Sequence, residues 1–107
     1  MNNFLAKQPL CYDPDRMKFI YYDELVSGQE EIIFPDSLSR EDQKKLITER
    51  LKKGPDDTVQ SISGMPYTRD DLIHAIENDE DMGNMTMEAE LIMLRDLLRL
   101  IAGQRAK

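Results

Sequence analysis

Between residues 87 and 101 the chain repeats apolar side chains, Met87, Leu91, Leu94, Leu98 and Ile101, at spacings of 4, 3, 4 and 3 residues. An α-helix gathers such positions onto one face because about 3.6 residues complete each turn. Met93, Leu97 and Leu100 form a second stripe beside the first. The joint arc is wider than one packing seam requires, so this helix either stands at the centre of a small domain or shares a face with another chain. Its expected span is from about Met85 or Met87 to Ala102, closed by Gly103.

Two earlier helices announce themselves through their caps. Ser39-Arg40-Glu41-Asp42 offers a hydroxyl and a carboxylate to orphan amides, predicting a helix over about Arg40 to Lys53 with Leu46, Ile47 and Leu51 on one face. Lys52 and Lys53 suit the negative end of its dipole, and Gly54 before Pro55 is free to turn left-handed. Thr68 caps the next helix, with Asp71 at N3 and Tyr67 placed to staple onto Leu72; it continues through Ile73 and Ile76 to about Asn78. A break is expected over 79–84, where Gly83 and Asn84 tolerate positive φ. The connection over 56–66 has only Val59 and Ile62 as candidates for burial.

Residues 1–16, with Asn2, Asn3, Pro9 and Pro14, follow neither helical nor strand periodicity and read as a docked or frayed arm. Lys18 to Tyr22 and Glu31 to Phe34 are β-prone and flank the turn signal Ser27-Gly28, which predicts a small hairpin. The rival arrangement is a short helix over 23–27 between extended segments. The fold class that follows is mainly α: a small helical domain of about three helices with a short N-terminal β-hairpin, α+β being the alternative. One compact domain is expected over 17–103, between the arm 1–16 and a tail 104–107, since 107 residues suit a single core.

Twenty-one acidic against fourteen basic residues give a net charge of −7, which repels nucleic-acid phosphate and anionic lipid. The charges are segregated. Arg40, Lys44, Lys45, Arg50, Lys52 and Lys53 load the first helix, whereas 70–90 holds eight acids and no lysine or arginine. Cys11 is the only cysteine, so an intramolecular disulfide and a cysteine-rich zinc site are excluded. The first fifteen residues lack a signal-type apolar run, and no segment approaches the ~20 apolar residues of a membrane span, so no membrane contact and a cytoplasmic address are expected.

Several site readings can be weighed on residue type and spacing. An EF-hand-like register sets Asp79, Asp81 and Gly83 at loop positions one, three and five and Glu90 at twelve, but Asn84 replaces the glycine at six and Met87 stands at nine. A calcium- or ligand-binding module at 79–90 is therefore an alternative only. Cys11 and His74 carry no surrounding motif for nucleophilic catalysis, and no phosphate-cradling glycine loop is present. The last two helices could suggest a DNA-reading pair, yet Glu88 and Glu90 would meet phosphate, so no direct nucleic-acid binding is expected. An acidic nucleic-acid mimic that inhibits a basic partner is a further alternative, resting on composition.

The leading expectation is a small acidic protein-protein interaction or adaptor module, non-enzymatic, with no cofactor and no metal. Its contact residues are expected at Met93, Leu97 and Leu100, with Met82 and Met85 nearby, because unbranched methionines adapt to irregular partners. The partner is a protein of unspecified identity. A homodimer is one form of it, since the first two helices offer few side chains to cover so broad an apolar arc.

Overall fold

The computed structural model describes residues 7–54, 59–60 and 66–105, with 59–60 and 66–67 described by their backbone alone. The elements are β1 (Cys11–Asp13), β2 (Lys18–Ile20), α1 (Tyr22–Val26), a 3₁₀ turn (Pro35–Ser37), α2 (Arg40–Lys53), β3 (Val59–Gln60), β4 (Pro66–Tyr67), α3 (Arg69–Glu77) and α4 (Asp81–Arg105). The architecture is mainly helical with a short N-terminal antiparallel hairpin, as the sequence predicts.

The hairpin is built from different residues than expected. Cys11 pairs with Ile20, Tyr12 with Phe19 and Asp13 with Lys18, while 31–34 runs without regular structure. Asp13 explains the turn: its carboxylate accepts from the amides of Asp15 and Arg16 at 3.0 and 3.4 Å, and Met17 takes a left-handed φ of 52° before β2 begins. Across the strands the Tyr12 and Phe19 rings stack with centroids 4.9 Å apart. The rival expectation of a short helix after the first extended run is met by α1, opened by Glu24 reaching back to the Tyr21 amide at 3.0 Å. Gly28, at φ +83°, makes the turn beyond it.

α2 spans the predicted residues. Ser39 Oγ accepts from the Asp42 amide at 3.2 Å, and Leu46 and Ile47 are buried. Gly54 does not turn left-handed as expected; its φ is −81°, and its place is set by Gln8, which donates to the Arg50 carbonyl at 2.9 Å. Arg69 of α3 instead donates to the carbonyls of Lys52 and Gly54 at 3.2 and 3.3 Å, bringing a cation to the negative end of α2. β3 and β4 form a two-residue ladder, Val59 opposite Tyr67 and Gln60 opposite Pro66, that sequence patterning does not reveal. The Tyr67 staple and the burial of Val59 and Ile62 lie outside the described residues and side chains.

α3 begins on the predicted reciprocal cap, Asp71 N to Thr68 Oγ1 and Thr68 N to Asp71 Oδ2, both 3.1 Å. Its end corrects the expected break. Asp79, not Gly83 or Asn84, takes the left-handed position at φ 56°, with Glu80 N donating to Ala75 O at 2.9 Å and Asp79 N to Ile76 O at 3.3 Å. These two bonds close the helix as glycine usually does, and aspartate is among the few side chains that tolerate the conformation. α4 therefore starts at Asp81 and includes Gly83 and Asn84. Gly83 is a contact glycine: a Cβ there would lie 2.3 Å from the Ala75 carbonyl, so its absence lets α3 and α4 cross closely. At the other end α4 passes through Gly103 to Arg105.

The core explains how the broad arc of α4 is covered. Met87, Leu94, Leu98 and Ile101 are buried against Leu46 and Ile47 of α2, Ile76 of α3, and Leu10, Cys11, Tyr12, Ile20 and Leu25 from the N-terminal part. Within the stretch read as an arm, Pro9 to Tyr12 are thus interior residues. Ile32, Ile33 and Phe34 pack on the same cluster, and Leu38 seals it beside the 3₁₀ turn.

Candidate protein-interaction surface

The five residues singled out on α4 separate into two groups. Met85, Met93 and Leu100 are exposed, Leu100 by 67%. Leu97 leans against the core cluster and Met82 is half-buried near the crossing with α3. Two positions unnoticed in the sequence complete the outer face: Ile92, 45% exposed, and Ala89. Met85, Ala89, Ile92, Asp96 and Leu100 follow each other at three- or four-residue steps, so they form one ridge opposite the buried stripe, with Met93 beside it. The signal was available in those spacings, but the stronger inner repeat over the same residues masks it.

The ridge stands on a base of buried and hydrogen-bonded side chains. Arg50 of α2 lies 95% inside the protein, its Nη1 donating to the Pro9 carbonyl at 2.9 Å and its Nε facing Glu90 Oε1 at 3.5 Å. Burial pulls the guanidinium pKa down, and Glu90 pulls it back up. Arg50 Nε has no well-aligned hydrogen bond, so Glu90 acts as a counter-charge rather than a strong acceptor. Arg40 Nη2 donates to Asn84 Oδ1 at 2.9 Å and Lys44 pairs with Asp79 at 3.0 Å, tying α2 to the start of α4. At the far end Arg105 donates to the Glu30 carbonyl at 3.2 Å. Glu30 itself binds Arg16 and, at 2.8 Å, Lys18, whose cations pull its carboxyl down to about 2.

Beside the ridge runs an open groove of about 450 Å³, with Asp36 and Arg40 on one wall and Asn84, Glu88, Ile92 and Arg95 of α4 on the other. A second depression of about 270 Å³ lies among Met85, Glu88, Ala89 and Ile92. Both depressions are open to solvent, and neither encloses a volume as a buried ligand pocket does.

The other sequence candidates are dispersed. Cys11 is buried in the core, where desolvation pushes its thiol up to about 11, whereas the side chain of His74 is 72% exposed on α3 and faces Glu80 at 3.7 Å. They do not meet. Asp81, Gly83 and Glu90 are helical, so the twelve-residue loop register from Asp79 does not form, and Glu90 turns toward Arg50. Among the described residues, no three His, Cys, Asp or Glu side chains are grouped to hold a metal, and no helix is long and apolar enough to cross a membrane. No protein-family model matches the chain, and no curated protein or solved structure is significantly similar to it.

Proposed function

We propose that this protein is a small non-enzymatic interaction or adaptor module that presents the outer face of α4 to a protein partner. The observation that carries the reading is the exposure of Met85, Ile92, Met93 and Leu100 on one side of a helix whose other side is fully used by the core. An apolar face held on a buried scaffold is pre-organised, so little ordering opposes binding. The methionines adapt to irregular contact, and the acidic surface favours partners with basic flanks. A cytoplasmic setting fits Cys11 as a free thiol in the core.

Affinity capture with the parent and with Ile92→Glu tests this. Ile92 is exposed, so the variant retains the fold, which circular dichroism verifies. A protein held stoichiometrically by the parent, an untagged copy of this chain included, and released by Ile92→Glu is the expected result. Identical captured sets from both proteins would contradict it.

A further inference from the structure

We infer that the occupant of the outer face of α4 is a second copy of this chain, bound antiparallel, with Glu88 of each copy seated between Arg95 and Arg99 of the other. This rests on the interaction reading above and names its partner. The first half of α4, Asp81 to Ile92, carries Asp81, Glu88 and Glu90 and no base, whereas the second half carries Arg95, Arg99 and Arg105 against Asp96 alone. An antiparallel pair sets each acidic half on a basic half. A parallel pair sets like on like.

The angular positions strengthen the assignment. Glu88, Arg95 and Arg99 lie within about 40° of one another around the helix, on the edge of the ridge that faces the groove. In a two-fold antiparallel pair each edge meets its own copy, so acid and bases on the same edge find each other twice. In a parallel pair this edge would meet the opposite one, where Met93 and Leu97 stand. Among the described residues neither Glu88 nor Arg99 makes an ion pair, and Arg95 faces only Asp96, at 3.4 Å. Both sides of the contact are available.

One register satisfies charge and apolar contacts together. With the two-fold between Ile92 and Met93, Met85 lies level with the partner's Leu100, Ile92 beside the partner's Ile92 across the axis, and Ala89 leaves room for the partner's Asp96. Glu88 then falls midway between the partner's Arg95 and the partner's Arg99, which are one turn, about 6 Å, apart. In this register the partner's Asp96 lies one residue, about 1.5 Å along the axis, from the level of Glu88 but nearer the middle of the ridge, and the partner's Arg95 and the partner's Arg99 on either side supply two cations for the two acids. Sliding the pair until Asp96 meets its own copy sets two aspartates in contact with no base between them. The seam is short and only partly apolar, so it belongs with the smaller, weaker interfaces and self-association in the micromolar range is expected.

Sedimentation equilibrium gives the association constant, and cysteine cross-linking gives the orientation. The parent is expected to dimerise at micromolar concentration; Glu88→Arg and Arg99→Glu each weaken the dimer by about tenfold or more, and the double swap restores most of that loss. Met85→Cys should not cross-link to itself, whereas a mixture of Met85→Cys and Leu100→Cys should give the heterodimeric disulfide. Cys11 is buried and does not compete in the folded protein. A parent that stays monomeric at high micromolar concentration overturns the self-pairing, and a dimer indifferent to Glu88→Arg, or self-cross-linking through Met85→Cys, overturns the antiparallel register. A monomer that still captures a different protein through Ile92 ends this inference while leaving the interaction reading intact.

Discussion

Gly83 occupies the point where α4 crosses α3, and replacing it with alanine pits helix propensity against packing. A Cβ at this position would stand 2.3 Å from the carbonyl carbon and oxygen of Ala75 and 2.5 Å from the amide nitrogen of Ile76. Carbon contacts are comfortable only near about 3.5–4.0 Å, so the helices must part by about 1 Å. The obstacle is backbone and cannot rotate aside. Ala75, Ile76 and Met87 are all buried at this crossing, and overpacking of this kind typically costs about 1–3 kcal/mol, sometimes more. Alanine in a helix interior returns up to about 1 kcal/mol over glycine. The net expectation for Gly83→Ala is a loss of about 1 kcal/mol, rising where the two backbones cannot part. Gly103 is the internal control: it is also helical, nothing lies within 4 Å of its Cβ position, and Gly103→Ala should gain about 0.5 kcal/mol. Urea unfolding followed by circular dichroism reads both variants as shifts of the midpoint at unchanged slope. A Gly83→Ala protein as stable as the parent would show that α3 and α4 do not cross this closely.

Three further outcomes follow from the same contacts. Glu90→Gln leaves the buried Arg50 without its counter-charge and should cost about 2–3 kcal/mol by urea unfolding, whereas Arg50→Met, which leaves only the Pro9 carbonyl and a quarter-exposed carboxylate, should cost less; the reverse order would contradict the pairing. Because Glu30 titrates lower in the folded protein than in the unfolded chain, its contribution is complete above the ordinary carboxylate range and is lost as pH falls through that range toward about 2. Glu30→Gln should flatten the fall in thermal midpoint over that acidic window, most clearly at low salt, and an unchanged pH profile would show the Arg16-Lys18 cluster to be inert. Cys11 should resist thiol reagents until the protein unfolds, its labelling rate following unfolding with denaturant; rapid labelling of the native protein would place it outside the core.

Elements specified by local chemistry could be read directly from the sequence. Ser39 and Thr68 mark where α2 and α3 begin because a cap bond spans only three residues, and the inner stripe of α4 follows from a fixed period. What escaped depends on contacts distant in sequence. Arg50 looks like one more solvated cation on α2 until Pro9 and Glu90 close over it. Gly83 reads as a helix breaker, yet it lies within α4 because Ala75 stands against it. The strand at Cys11–Asp13 is too short for a period, and it is the core beneath Leu10 and Tyr12 that holds it. For the same reason the sequence overstates the uncovered part of α4: residues 9–12 and 25, which show no pattern, cover much of it.

Methyl NMR across a dilution series tests most directly whether the outer face of α4 meets a second copy. Met85, Ala89, Ile92, Met93 and Leu100 carry methyl groups on that face, and Met87, Leu94 and Leu98 carry them on the buried one. With rising concentration the outer methyl signals should shift or broaden together while those of Met87, Leu94 and Leu98 stay in place. Outer signals that remain unchanged from the most dilute to the most concentrated sample, or that move only when the inner ones do, would contradict the dimer.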